Sequence, residues 1–258
     1  MEHSFIDRYS KLDSPIHRLN PKIKILSAIL FIVAVVTIPA RPQVFAFYFV
    51  VLLALMIVST VPLGFIFRRS LMFCPFVLVP VLFSTLMFTP GEAIGSYGVG
   101  HFKVTVTYDA LNIILIVFSR AWLSILASIL LVSTTGFSNL LKGLQTLGVP
   151  RVITMVMSFM YRYMFVLTDE LMRMRRARES RCFRGGFLET LRSSGSIIGS
   201  LFIRSYERGE RVYAAMLSRG FTGNTRTVDS QYVRTSDVGS MCAFSLIIIL
   251  NWLWGIWA

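Results

Sequence analysis

The sequence predicts an all-α, polytopic membrane protein with about five transmembrane helices and three cytoplasmic helices inserted before the last of them. Three observations carry this prediction. Hydrophobic residues make up 55% of the chain and the mean hydropathy is +0.67, too apolar for an ordinary soluble domain. Several apolar runs approach the ~20 residues a helix needs to cross hydrocarbon. When those runs are threaded as alternating spans, all but three of the 26 Lys and Arg residues fall on one side. The exceptions are Arg41, Lys103 and Arg120. Excess Lys and Arg mark the cytoplasmic face, so the N-terminus is expected inside and the C-terminus outside the cell (inner) membrane.

The lead-in "MEHSFIDRYSKLDSPIHRLNPK" is polar and contains acids, so it is not expected to be a cleavable signal. The first span follows Pro21 as "ILSAILFIVAVVTI" (Ile25–Ile38), closed by Pro39 and Pro42. A second is read over about Val44–Val61, and a third over Leu71–Phe88 with Pro75 and Pro80 inside. Membrane helices tolerate such prolines where neighbours satisfy the freed carbonyls. A fourth covers Ala110–Val132 and a fifth Val238–Trp257, with Trp252, Trp254 and Trp257 as an interfacial anchor. The chain thus divides into 1–133, a cytoplasmic region 134–237, and a last span at 238–258.

Within the insertion, three helices are predicted. A short one at Ser138–Leu147 is stopped by "GVP"; a long one runs from Arg151 to about Cys182; another runs from Phe187 to Arg219. "RGG" (Arg184–Gly186) separates the long pair and Gly220 ends the last. Both are amphipathic. Val152, Val156, Phe159, Tyr163, Val166, Leu171 and Met174 recur at helical spacing on the first; Phe187, Leu191, Ile198, Phe202, Gly209, Val212 and Met216 do so on the second. Gly195, Gly199, Ser205 and Gly209 are small enough for two backbones to cross closely. Val152–Leu167 is apolar enough to compete as a sixth span. It is short and contains Arg162, so a helix at the membrane interface is preferred.

The two long helices end alike. "ARESRCF" (Ala177–Phe183) and "AMLSRGF" (Ala215–Phe221) each carry Ser-Arg-small-Phe. A cation and a glycine at a helix C-terminus are ordinary capping chemistry. That reading, however, leaves the repeated serine, upstream alanine and phenylalanine unexplained. Arginine suits an interface, because its fork holds a carboxylate bidentately and keeps its charge when desolvated.

This pairing resembles the T component of energy-coupling-factor (ECF) transporters, the CbiQ/EcfT family. "DSPIHRLNPKIKIL" (Asp13–Leu26) is similar to that family's lead-in, and "TTGFSNLLKGLQTLGVPR" (Thr134–Arg151) to its entry into the coupling helices. "YRYMFVLTDELMRMRRARESR" (Tyr161–Arg181) looks most like the cobalt or nickel branch. The resemblance covers nearly the whole chain. It implies that Ser180-Arg181-Cys182 and Ser218-Arg219-Gly220 dock into grooves on two ATP-binding cassette ATPase subunits. It also implies coupling helices that cross as an X, and a separate substrate-binding integral membrane subunit. Cysteine at position 182 departs from the family's commonest triplet. Cobalt for cobalamin biosynthesis is the first expectation for cargo, nickel the second and a vitamin the third.

Other chemistry is sparse. Arg120 sits within the fourth span, where an unpaired charge costs at least ~2.5 kcal/mol, so it is expected to clamp onto carbonyls or an acid. His3 behind a free amino terminus has the pattern that binds nickel or copper. Its expected cytoplasmic placement and the processing of the initiator methionine argue against capture there. His17 and His101 have no second ligand at helical spacing, and Cys74, Cys182 and Cys242 form no CxxC pair. No metal site or cofactor is assigned. Gly143 and Gly148 have P-loop spacing, but Val149-Pro150 follow where Lys and Ser/Thr are needed. The arginines from Arg173 to Arg184 interleave with Asp169, Glu170 and Glu179 among few aromatics, which disfavours nucleic acid. A membrane-embedded enzyme would need a convergent set of acids or histidines. None is visible, so no catalytic residue is assigned. A self-contained carrier would need more ionisable residues within its spans.

Overall fold

The computed structural model describes residues 12–38, 41–88, 93–99, 102–181, 186–223 and 235–257. Among them are nine helices: α1 (Pro15–Arg18), α2 (Pro21–Thr37), α3 (Pro42–Val58), α4 (Leu63–Phe88), α5 (Tyr108–Thr134), α6 (Phe137–Thr146), α7 (Arg151–Ser180), α8 (Phe187–Ser218) and α9 (Thr235–Trp257). The fold is that of an all-α membrane protein, with one addition. An antiparallel hairpin, β1 (Ala93–Val99) and β2 (Phe102–Thr107), joins α4 to α5, with Val99 paired to Phe102. The sequence analysis assigned no element there. The overlooked signal is Gly-X between two alternating runs, the pattern of a two-residue hairpin connection.

Helix starts follow local chemistry. Asn20 caps α2 by accepting the Lys22 amide at 3.0 Å, with Pro21 in the first turn, where its missing N–H costs nothing. Pro42 opens α3 in the same way. The predicted helices of the insertion reappear within a residue or two of their expected ends. The third predicted span begins eight residues earlier than expected, at Leu63. Its first turns belong to the fold, since Ile66 is fully buried and the Arg69 guanidinium lies 5.8 Å from the Phe65 ring centroid.

The chain forms two compact units, one of residues 4–143 with 231–258 and the other chiefly of residues 144–230. In the first, α2, α3, α5 and α9 enclose a core that includes Phe31, Val35, Tyr48, Met56, Leu126 and Ile248. Tyr48 meets Phe31 edge to face at 5.4 Å, and its hydroxyl donates to the Ile248 carbonyl at 3.4 Å. Among the described residues two helices, α5 and the Leu63–Phe83 part of α4, are long and apolar enough to cross a membrane. Pro42–Val58 and Asp237–Leu253 are apolar but shorter.

Two cations, Lys24 buried and Arg120 half-buried, fasten α2 to α5. Lys24 Nζ donates to the Thr134 carbonyl, at the end of α5, and to the His17 carbonyl, each at 3.1 Å. Arg120 Nη2 donates to the carbonyl of Ile38, the C-cap of α2, at 2.6 Å. Each helix thus supplies a cation to the negative end of its antiparallel neighbour. The two contacts are separated by the same stretch on both helices, residues 24 to 38 and 120 to 134, or roughly 21 Å. Arg120 thus links α5 to the end of α2 by one hydrogen bond, and its Nε has no partner among the described residues.

Gly143, whose spacing mimics half a phosphate loop, serves packing instead. A Cβ there would lie 2.7 Å from Ile25 Cδ1 and 3.2 Å from the Pro21 backbone. Only glycine lets α6 approach the start of α2 so closely.

Candidate coupling interface

The second unit carries the site read from sequence. Its entry is set by the end of α6. Gly148 adopts φ +105, its amide bonds the Gln145 carbonyl at 3.3 Å, and the Val149 amide bonds the Leu144 carbonyl at 3.2 Å. These are the two bonds of a Schellman end. Pro150 then serves as N-cap of α7, so "GVP" stops one helix and starts the next.

Helix α7 runs unbroken for 30 residues, and the apolar stretch Val152–Leu167 is its first half. The helix is long enough for a span but not apolar enough to be counted as one. Thr154 is its one buried residue among those described, and α8 has none. Much of the apolar line predicted for each helix is bare. Val152 and Val156 are exposed on α7; Phe187, Leu191, Ile198 and Phe202 are exposed on α8.

Polar ties join the two helices. Glu170 of α7 accepts from Arg204 of α8 at 2.7 Å and from Arg173 at 2.6 Å. Arg178 Nη1 donates to the Ser194 hydroxyl at 3.0 Å. Later positions on α7 meet earlier ones on α8, so the paired segments run antiparallel. Hydrogen bonds from Arg173 first, and then Arg204, hold the Glu170 carboxyl below the ordinary carboxylate range. The small residues expected at the crossing have another environment. A Cβ on Gly195, Gly199 or Gly209 would meet no heavy atom within 4 Å, and Ser205 spends its hydroxyl on the Phe202 carbonyl of its own helix. Long side chains bridge the gap here, so no close backbone approach occurs at those positions.

The two arginines occupy equivalent places. Arg181 is the C-cap of α7, with φ −84 and ψ 16; Arg219 is the C-cap of α8, with φ −93 and ψ 12. Each amide bonds the carbonyl three residues back at 3.1 Å. The serine before each arginine turns its hydroxyl onto its own helix: Ser180 to the Arg176 carbonyl at 2.9 Å, Ser218 to the Ala215 carbonyl at 3.0 Å. After Arg219, Gly220 takes φ +78 and bonds Leu217, while the Phe221 amide bonds the Met216 carbonyl at 3.0 Å. This second Schellman end explains the glycine and the phenylalanine together, because the position after the left-handed residue commonly carries an apolar side chain. Capping thus accounts for more of the repeated motif than the sequence analysis allowed it. The guanidinium groups remain unexplained by it. Both are exposed, and neither has a hydrogen bond or ion pair from its side chain among the described residues. Cys182 lies outside the described residues, as do His3 and His101.

What sequence reading missed here is the Glu170–Arg204 tie. Its partners lie 34 residues apart on different helices, and no spacing rule connects them.

The family model described as cobalt transport protein, CbiQ, matches residues 13–229. The energy-coupling factor transporter transmembrane protein EcfT of Streptococcus thermophilus is 30% identical over 235 residues, covering 87% of each chain. Those of Bacillus subtilis and Thermosediminibacter oceani are both 27% identical; the first covers 96% of each chain, the second 96% of this chain and 97% of its own. A match of this extent places it in a family: the chain belongs to the CbiQ/EcfT family, the transmembrane components of energy-coupling factor transporters.

Proposed function

We propose that this chain is the coupling subunit of an ATP-driven importer and that Arg181 and Arg219 plug into two ATP-binding cassette ATPase subunits. As a transport component it is not an enzyme, and separate ATPase subunits hydrolyse ATP. The observation that carries the proposal is the matched pair of exposed C-cap arginines, equivalent in backbone and without a side-chain partner among the described residues. A stiff helix behind each one can pass a push from an ATPase to the rest of the subunit. A guanidinium can hold a carboxylate or backbone carbonyls in a groove without losing its charge. Ser180, Ser218 and Gly220 fix the helix ends that present them.

The distribution of basic residues supports five spans with the N-terminus cytoplasmic and the C-terminus external, which puts α7 and α8 on the ATPase side. A metal ion is the cargo proposed, cobalt ahead of nickel, captured by a substrate-binding integral membrane subunit that α7 and α8 serve. The family model's description supports this choice, as does the Tyr161–Arg181 segment.

The test is Arg181→Ala combined with Arg219→Ala in the reconstituted complex. The double variant is expected to insert normally, fail to co-purify with the ATPases and lose ATP-driven uptake of cobalt. Normal assembly and uptake would overturn the docking role. Uptake of a vitamin but neither metal by the wild-type complex would overturn the cargo alone.

A further inference from the structure

We infer that the first compact unit holds an anionic phospholipid, with one acyl chain in a cavity between α2, α5 and α9 and the phosphate on Lys24. This inference rests on the membrane orientation proposed above for its choice of leaflet, and on geometry for the rest. The cavity has a volume of about 380 Å³, within the range of small-molecule sites. It is lined by the first half of α2 (Lys24 to Phe31), the last turns of α5 (Ala127 to Thr134), the early turns of α9 (Ser240 to Ile247) and Leu52 and Leu55 of α3. Every one of these segments is the end of its helix assigned to the cytoplasmic side. The cavity therefore belongs to the inner leaflet, whose anionic lipids attract basic groups.

The lining specifies the ligand's chemistry. Its hydroxyls are already committed: Ser27 donates to the Lys24 carbonyl, Thr134 to Leu130 and Ser240 to Asp237. What remains is hydrocarbon and one ammonium. Water would find few partners there, and an apolar cavity of this kind is filled by an apolar guest. Lys24 is 7% exposed, and its two hydrogen bonds to carbonyls leave one of its three N–H donors. Those carbonyls bring no full charge to neutralise the ammonium. An acyl chain in the cavity with its phosphate at Lys24 satisfies both the apolar wall and the buried cation. Neither free phosphate nor a neutral lipid satisfies both.

The test uses the full chain, purified and delipidated, then titrated with phosphatidylglycerol, phosphatidylcholine or glycerol phosphate and read by native mass spectrometry and melting temperature. Wild type is expected to retain one phosphatidylglycerol and to melt higher with it than with phosphatidylcholine. Ala28→Phe, which fills the cavity from α2, is expected to lose the bound lipid. Lys24→Gln is expected to weaken phosphatidylglycerol about tenfold and erase its advantage over phosphatidylcholine, and Lys24→Arg to restore it. Should Lys24→Gln fail to fold, Ala28→Phe carries the test. The inference is overturned if wild type retains no lipid, if glycerol phosphate binds as well, if Ala28→Phe keeps the lipid, or if a partner's side chains fill the cavity in the assembled transporter. The lipid readouts use this chain alone, without an ATPase, so a failure of the docking proposal would leave them intact.

Discussion

Tyr48 and Phe202 are both large aromatic residues in long helices, yet Tyr48 has no exposed surface and Phe202 is 70% exposed. The contrast extends to their surroundings. The α2, α3, α5 and α9 bundle closes its own core and caps its own helix ends, using Lys24 and Arg120 where a carbonyl would be stranded. Helices α7 and α8 bury almost nothing among the described residues and are tied by exposed arginines to one half-buried carboxylate. A bundle with a closed core can serve as a fixed frame, even with an apolar cavity beside that core. An amphipathic pair that is incomplete has its apolar surface available for whatever it couples to.

Four experiments sharpen or break this contrast. The largest effect is expected from Tyr48→Ala, which leaves a cavity in the bundle and should cost ~3–5 kcal/mol in detergent unfolding. Phe202→Ala should stay within ~0.5 kcal/mol while reducing co-purification with the other subunits. Equal destabilisation by both substitutions would show that α8 is as much a core element as α3. Next in size is Gly143→Val, whose side chain meets the Pro21 backbone and Ile25. Overpacking of this kind should cost ~1–3 kcal/mol, visible as a lower melting temperature. Gly220→Ala forces a Cβ into φ +78 and should cost ~1–2 kcal/mol locally. Hydrogen exchange should show fraying of the last turn of α8, with Arg219 losing its fixed direction and the bundle unaffected.

The smallest effect concerns Glu170. Its carboxyl is held below the ordinary range in the folded chain, so the tie is fully present at neutral pH and is lost only as pH falls through that lowered value. Distances between labels on α7 and α8 should therefore stay constant down to about pH 4.3, the ordinary value for glutamate, and lengthen only below it. Glu170→Gln should abolish this late transition. Opening at mildly acidic pH would mean that another group holds the pair together.

Helix α7 is where sequence and structure agree most fully. Its bounds, its amphipathic line and its terminal arginine follow from the 3.6-residue period and from Pro150, because both act within a few turns of one helix. The hairpin between α4 and α5 was equally local and simply unread. The role of Gly143 is different in kind: the residues that follow exclude a phosphate loop despite its spacing, and only the approach of α6 to Pro21 shows what the glycine is for. The crossing expected at Gly195, Gly199 and Gly209 shows the same limit. Small residues permit a close approach without requiring one.

By itself, the sequence determined the membrane class, the order of helices and the positions of Arg181 and Arg219. Each of these depends on composition or on neighbours within a turn or two. Tertiary structure alone decided that Lys24 answers Thr134 across 110 residues and Arg120 answers Ile38 across 82. It also decided that Glu170 takes Arg204 as its partner, and that a cavity opens beside a buried ammonium. Those outcomes depend on which helix ends lie side by side, and hydrophobic periodicity records which face a helix buries but not the neighbour it buries it against.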